Sequence, residues 1–305
     1  MDDATLAALR LVASAWVDVA FALAFGALAS ALALADGTTA WRATRERGAL
    51  RWLGASTAAA LAGMLALLWI EAMTMAEVGP GAAFGELRGV LAGTQWGHAW
   101  ACAFASLALL LVAWLGLRRR LRDLRAAAVF ACLVFALARA GASHAGARGF
   151  NGATVVMAVH LLATAAWSGL VFVAALVVLP EDGSPLAPDD RAAWLRWLSR
   201  CATIALALVA ATGVAAALAE IGPTLAPLAS PGWGFILDAK LALVATAVAL
   251  GAWNRFVGLP PLLAAPATAS PRGFARVLRV EAVVLLAVLL AAAALANGEA
   301  PPVKV

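Results

Sequence analysis

Charge is scarce in this chain: Asp, Glu, Lys and Arg make up 13% of its 305 residues, against about a quarter in an ordinary soluble domain. With 64% hydrophobic residues and a mean hydropathy of +0.92, there is too little polar surface to clothe a water-soluble fold. The same numbers exclude disorder, because disordered chains are poor in apolar residues. Cysteine is sparse as well. Cys102, Cys132 and Cys201 make neither a disulfide framework nor a Cys-rich metal motif. P-loop, G-x-S-x-G and H-E-x-x-H patterns are all missing, so the commonest nucleotide, hydrolase and zinc-protease chemistries have no foothold and no enzyme is expected. A basic leader start is lacking too. The chain opens Met1-Asp2-Asp3, so the first apolar segment is expected to stay as a span.

What is present is a series of long apolar runs. A helix needs about 20 mostly apolar residues to cross a bilayer, and eight stretches qualify: 11–35, 52–75, 96–117, 126–143, 153–179, 201–220, 234–254 and 277–297. Unpaired backbone groups are not tolerated in lipid and no strand-like alternation competes, so each stretch is read as a helix. The expected fold is an all-α membrane protein whose main partner is the lipid bilayer.

Of the 22 basic residues, 16 fall between spans on one side. They are Arg42, Arg45, Arg47 and Arg51; Arg118, Arg119, Arg120, Arg122 and Arg125; Arg191, Arg196 and Arg200; Arg255, Arg272, Arg276 and Arg279. Such an excess marks the cytoplasmic face. With an even number of spans both termini are then periplasmic, in a bacterial inner membrane. This placement accounts for the net charge of +5, and no nucleic-acid partner is expected. The opposite rim carries Asp2, Asp3, Glu71, Glu77, Glu86, Glu220 and Glu299. It either concentrates cations or simply solvates exposed loops.

The chain also repeats itself. Ala76-Glu77-Val78-Gly79-Pro80 closes the second span as Ala219-Glu220-Ile221-Gly222-Pro223 closes the sixth. Trp96-Gly97 opens the third as Trp233-Gly234 opens the seventh, and Ala15-Trp16 with Phe21 matches Ala166-Trp167 with Phe172. Leu124-Arg125 and Leu278-Arg279 enter the fourth and eighth spans. The expected architecture is a duplicated 4+4 bundle, with repeats over 1–150 and 151–305 in the same orientation. Segment 255–276, with Pro260, Pro261, Pro266 and Pro271, reads as a linker.

All three histidines lie toward the outer side: His98 opens the third span, His144 follows the fourth, and His160 is about two turns into the fifth. Met73 and Met75 end the second span at the same level. Met157 is at i−3 from His160 and Cys102 at i+4 from His98, each on its histidine's face. Imidazole with thioether or thiolate is a donor set for copper, Cu(I) ahead of Cu(II); zinc more often takes Cys or His pairs at fixed spacing. Met73 and Met75 share no face unless the helix loosens before Gly79-Pro80. His144 also reads as a solvated loop residue, and Cys102 as packing. A histidine within an apolar span is costly and marks function, which favours His160.

Asp18, Asp238 and Lys240 are ionisable residues inside spans, expected to face the bundle interior or water. Asp18 pairs with Lys240 or Arg139 as a lock, or belongs to a cation path; spacing does not choose. Glu281 is expected to pair with a loop arginine. Trp167, seven residues after His160 on the same face, is a candidate floor for a site. Trp41, Trp52, Trp96, Trp100, Trp194, Trp197 and Trp233 fall near span ends, as an interfacial belt would.

The second half resembles the CopD family of bacterial copper-resistance membrane proteins. The matching elements are His160-Leu161-Leu162-Ala163 running into Ala166-Trp167-Ser168-Gly169, then Thr212-Gly213, Trp233-Gly234 leading to Lys240-Leu241, and Gly251-Ala252-Trp253-Asn254-Arg255. The first half is similar through Met73, Met75, Thr94-x-x-Gly97 with Trp100, and Ser143-His144-Ala145. The resemblance implies an inner-membrane protein that moves copper from periplasm to cytoplasm, served by a separate periplasmic CopC-type copper-binding protein. On that reading Met73, Met75, His98, His144 and His160 capture the ion, and Asp18 and Asp238 offer a path inward. Paired histidines on neighbouring spans can also ligate haem iron, so a haem or quinol redox protein is the alternative. A copper-delivery factor without net transport is a third reading.

Overall fold

A computed structural model describes residues 2–35, 37–143, 149–179, 187–221 and 232–298. Among them the regular elements are all helical: α1 (Asp3–Leu34), α2 (Ala40–Ala76), α3 (Ala83–Gly93), α4 (Gln95–Arg118), α5 (Leu124–Gly141), α6 (Gly152–Val173), α7 (Pro188–Ile221), α8 (Trp233–Trp253), α9 (Leu259–Ala264) and α10 (Arg272–Asn297). All but the connectors α3 and α9 give eight helices long and apolar enough to cross a membrane. Helices α6 and α8 run on into π-helical turns at Ala174–Val178 and Asn254–Gly258. His144, Gly222-Pro223 and Glu299 lie outside the described residues, as do the side chains of Glu220 and Trp233.

Side-chain caps start several helices. Asp2 accepts from the Thr5 N–H (3.0 Å), Thr39 from Arg42 (3.3 Å) and Thr94 from Gly97 (2.8 Å). Asn151 and Thr154 form a reciprocal capping box at α6. Such oxygens satisfy amides that have no partner in the first turn. Helices α2, α7 and α10 begin at Ala40, Pro188 and Arg272, well before the apolar runs at 52, 201 and 277. The reason is that hydropathy marks where lipid begins, whereas arginine is itself a good helix former. Most of the interspan arginines therefore ride on helical extensions. Segment 255–276 is likewise not a plain linker, since it holds most of a π turn and α9 with prolines in its first turn.

Helix α1 is the hub, packing along α2, α6 and α10, while α4 lies on α2 and α5. Helices α1 and α6 touch backbone to backbone. A Cβ added at Gly26 would stand 2.1 Å from the Gly169 carbonyl, and one at Gly169 would stand 1.9 Å from the Ala22 oxygen. Only glycine allows this approach, the usual device for packing helices in lipid. Phe21 and Phe135 pack beside the crossing, their rings tilted by 34° with centroids 4.2 Å apart. At the arginine-rich end, Asp190 of α7 takes Arg42 (2.8 Å) and the Thr39 hydroxyl (2.6 Å), and Arg45 reaches the Val177 carbonyl (3.1 Å).

Several tryptophans are not a lipid-facing belt. Trp41, Trp100 and Trp194 are buried within the protein. Indole N–H groups from Trp16, Trp100 and Trp114 donate to the carbonyls of Ala59, Met64 and Leu50 along α2, at 2.6–2.8 Å. A carbonyl already bonded within its helix still has a second lone pair, so these bonds satisfy the indoles without opening α2. Helices α7 and α8 are peripheral and expose most of their surface.

Candidate functional site

His160 is positioned by three helices. It lies eight residues into α6, about 12 Å along the helix from the end opposite the arginines. Its Nδ1 is 2.9 Å from the Thr212 hydroxyl on α7, and that hydroxyl donates its proton to the Leu208 carbonyl at 2.5 Å. With that proton already placed, Thr212 accepts from His160, so Nδ1 carries the hydrogen and Nε2 keeps a lone pair for a ligand. The ring rests against Gly213, where a Cβ would lie 3.3 Å from Cε1. Lys240 of α8 is near enough to act on the ring electrostatically. Met157, one turn toward the outer end, is partly buried.

The other candidate donors do not gather there. His98 and Cys102 share a face of α4 as expected, but that face is exposed, and α4 packs on α2, α3 and α5 rather than along α6. Helix α2 stays helical through Ala76 and ends with Glu77 in the left-handed conformation (φ 53°). Met73 consequently turns into the core while Met75 is exposed. Among the described residues no group of three or more His, Cys, Asp or Glu could hold a metal ion. The cysteines are free, and Cys132 is buried as packing.

The charged residues are sorted by their partners. Asp18 pairs with Arg139 of α5 at 3.0 Å, which settles the choice between Arg139 and Lys240. Glu71 is buried and ion-paired with Arg10 at 3.4 Å, so it is not an exposed member of the acidic rim; Glu77 is. Asp238 is exposed on α8 instead of facing the interior.

Glu281 corrects the sequence expectation most. Instead of meeting a loop arginine it is 3% exposed, receives Asn254 Nδ2 on Oε2 at 3.2 Å, and accepts from the Trp167 indole. Gly251 leaves room for it, since a Cβ there would lie 3.1 Å from Oε1. Trp167 is therefore less a floor beneath His160 than a link on the same helix to a second polar centre. Arg255 turns away to Ser199 and Thr203 of α7.

Sequence reasoning missed Thr212, Asn254 and Glu281 as site residues. The available signal was an ionisable residue followed by an unbroken apolar run, Ala282 to Ala296, in a span where such groups are costly. The motifs of the second half thus gather at two centres, one at His160 and one at Glu281. In the first half, Thr94 and Gly97 serve as cap and close contact: a Cβ at Gly97 would stand 2.1 Å from the Val90 oxygen.

Two family models match the chain. Copper resistance protein D-like, N-terminal domain, covers residues 1–153, and Copper resistance protein D covers residues 192–295. No curated protein and no solved structure matches it. With eight membrane-capable helices and both halves matched, this multi-pass membrane protein belongs to the copper resistance protein D family.

Proposed function

We propose that the protein is a copper carrier of the bacterial inner membrane, moving the ion from periplasm to cytoplasm without catalytic chemistry. The observation that carries this reading is His160, an imidazole inside an apolar span whose Nδ1 is tied to Thr212, an anchor of the kind that orients the other ring nitrogen toward a metal. Soft thioether sulfur from Met157 beside it suits Cu(I) better than Cu(II). Cu(I) is content with two donors, where a structural zinc site takes four. Exposed Met75, Glu77 and His98 at the same end would meet the ion first, handed over by a separate CopC-type protein. The arginine-rich end is the cytoplasmic face by the positive-inside rule, which puts both termini in the periplasm. The bundle is taken as two repeated four-span units, and the first spans of each, α1 and α6, are the pair that cross at Gly26 and Gly169.

Lys240 gives the site its character. An ammonium beside His160 opposes a second positive charge, so a bound cation is held less tightly than imidazole and thioether alone would hold it. Conduction needs that compromise, because a site that binds too well does not release. Among the described residues the haem reading has no facing histidine pair to support it, since His98 is exposed on α4 while His160 meets Thr212 of α7.

Purified protein in liposomes tests the reading. Wild type is expected to load the lumen with copper, and His160→Ala to leave it nearly empty while eluting as a folded protein. Uptake at the wild-type rate by His160→Ala would overturn the site. Copper bound but never delivered by wild type would favour hand-over without transport.

A further inference from the structure

The second polar centre has no role in copper capture. Glu281, Asn254 and Trp167 come from three separate elements, α10, the π turn after α8, and α6, and all three are at least nine-tenths buried. Among the described residues nothing cationic meets the carboxylate. None of the ion pairs among the described residues involves Glu281. The charged groups on the elements packed against α10 are engaged or distant: Arg10 of α1 with Glu71 and Asp18 with Arg139, Arg255 with Ser199 and Thr203, and His160 with Thr212, beside Lys240, toward the opposite end. Asp238 lies near Lys240's end of α8 and is exposed, as are Arg276 and Arg279 on α10 itself. Arg45, at the π turn after α6, reaches the Val177 carbonyl.

An ionised carboxylate offers about four lone-pair sites, and here it has two neutral donors. Burying a charge so incompletely paired is expensive. Asn254 shows the matching deficit, for its Oδ1 is buried with no hydrogen-bond partner. An amide is suited to both states of an acid: Nδ2 donates to a carboxylate, and Oδ1, turned over, accepts from a carboxylic O–H. The site is also tight, with Oε1 against the Gly251 backbone. Of the small cations, a proton is the one that needs no more room. A π-helical turn beginning at Asn254 is a feature frequent at functional sites.

We propose that Glu281, held between Trp167 and Asn254, is an exchangeable proton site near the arginine-rich end of the bundle, and that copper moving inward displaces its proton. The step balances without an oxidant: the carboxyl O–H breaks, the proton leaves to water, and the negative charge left on the carboxylate offsets the charge of Cu(I) passing nearby without ligating it. The displacement rests on the copper-carrier reading; the proton site itself does not.

Two measurements keep them apart. Infrared spectra of the whole protein in lipid nanodiscs are expected to show a protonated-carboxyl carbonyl band that shifts in D2O and is missing from Glu281→Gln. No difference between wild type and Glu281→Gln would overturn the proton site, whether or not copper moves. A band altered by sodium rather than by pH would overturn it too, in favour of a metal cation. In liposomes carrying a pH indicator, copper addition is expected to release protons from wild type but not from Glu281→Gln, with Glu281→Asp restoring part of the signal. Copper uptake by wild type with no proton release would overturn the displacement; no uptake by any variant, with the infrared band present, would sink the carrier reading alone.

Discussion

His160 and Thr212 are joined across the α6–α7 interface at 2.9 Å, through a hydroxyl whose own proton already belongs to the Leu208 carbonyl. Replacing Thr212 by Val keeps the shape and removes the acceptor, freeing the ring to turn and change tautomer. Cu(I) affinity is expected to fall about 10–100-fold, the usual cost of losing such an orienting partner, with the fold intact. Competition against a chromogenic Cu(I) chelator measures it, and an unchanged affinity would rule out the Nδ1 anchor.

Lys240 works in the opposite sense. Lys240→Met removes a positive charge next to the ion, so copper should be retained on the order of tenfold more tightly and turned over more slowly. Chelator-stripping rates and liposome uptake read both effects. Weaker retention would mean that Lys240 supports the site instead of loosening it.

The α1–α6 crossing makes a prediction about stability alone. Gly169→Ala places a methyl on the Ala22 carbonyl, and overpacking of this kind costs about 1–3 kcal/mol. Thermal unfolding in detergent should show a clear drop in Tm. Gly89→Ala, on α3 with nothing within 4 Å, is the control and should leave Tm unchanged or raise it.

Asp18 and Arg139 form a lock. Either Asp18→Asn or Arg139→Gln leaves one partly buried charge alone, whereas the double variant removes both. Unfolding of the three variants should give a coupling of about 0.5–3 kcal/mol, with the double variant more stable than the two losses summed. Simple additivity would mean that the pair holds nothing together.

The eight spans were legible in the residues because lipid demands long apolar helices. Helix starts were not, since the charged extensions of α2, α7 and α10 leave no mark on hydropathy. His160 stood out as a lone imidazole in an apolar run. Its partner Thr212 did not, because a threonine that returns its proton to its own helix looks like any other polar residue in a span. Cys102 sits at the right spacing from His98, yet spacing fixes only that two residues share a face, not that the face looks inward. Glu281 was misassigned because Arg276 and Arg279 precede it closely in sequence, while its real partners come from α6 and the π turn after α8.

The most direct test is X-ray absorption at the copper edge on the Cu(I)-loaded protein, compared with His160→Ala and His98→Ala. Wild type and His98→Ala should show the same low-coordinate copper with one imidazole nitrogen and one thioether sulfur, and His160→Ala should lose both the nitrogen and most of the metal. Equal copper with unchanged ligation in His160→Ala would contradict the account.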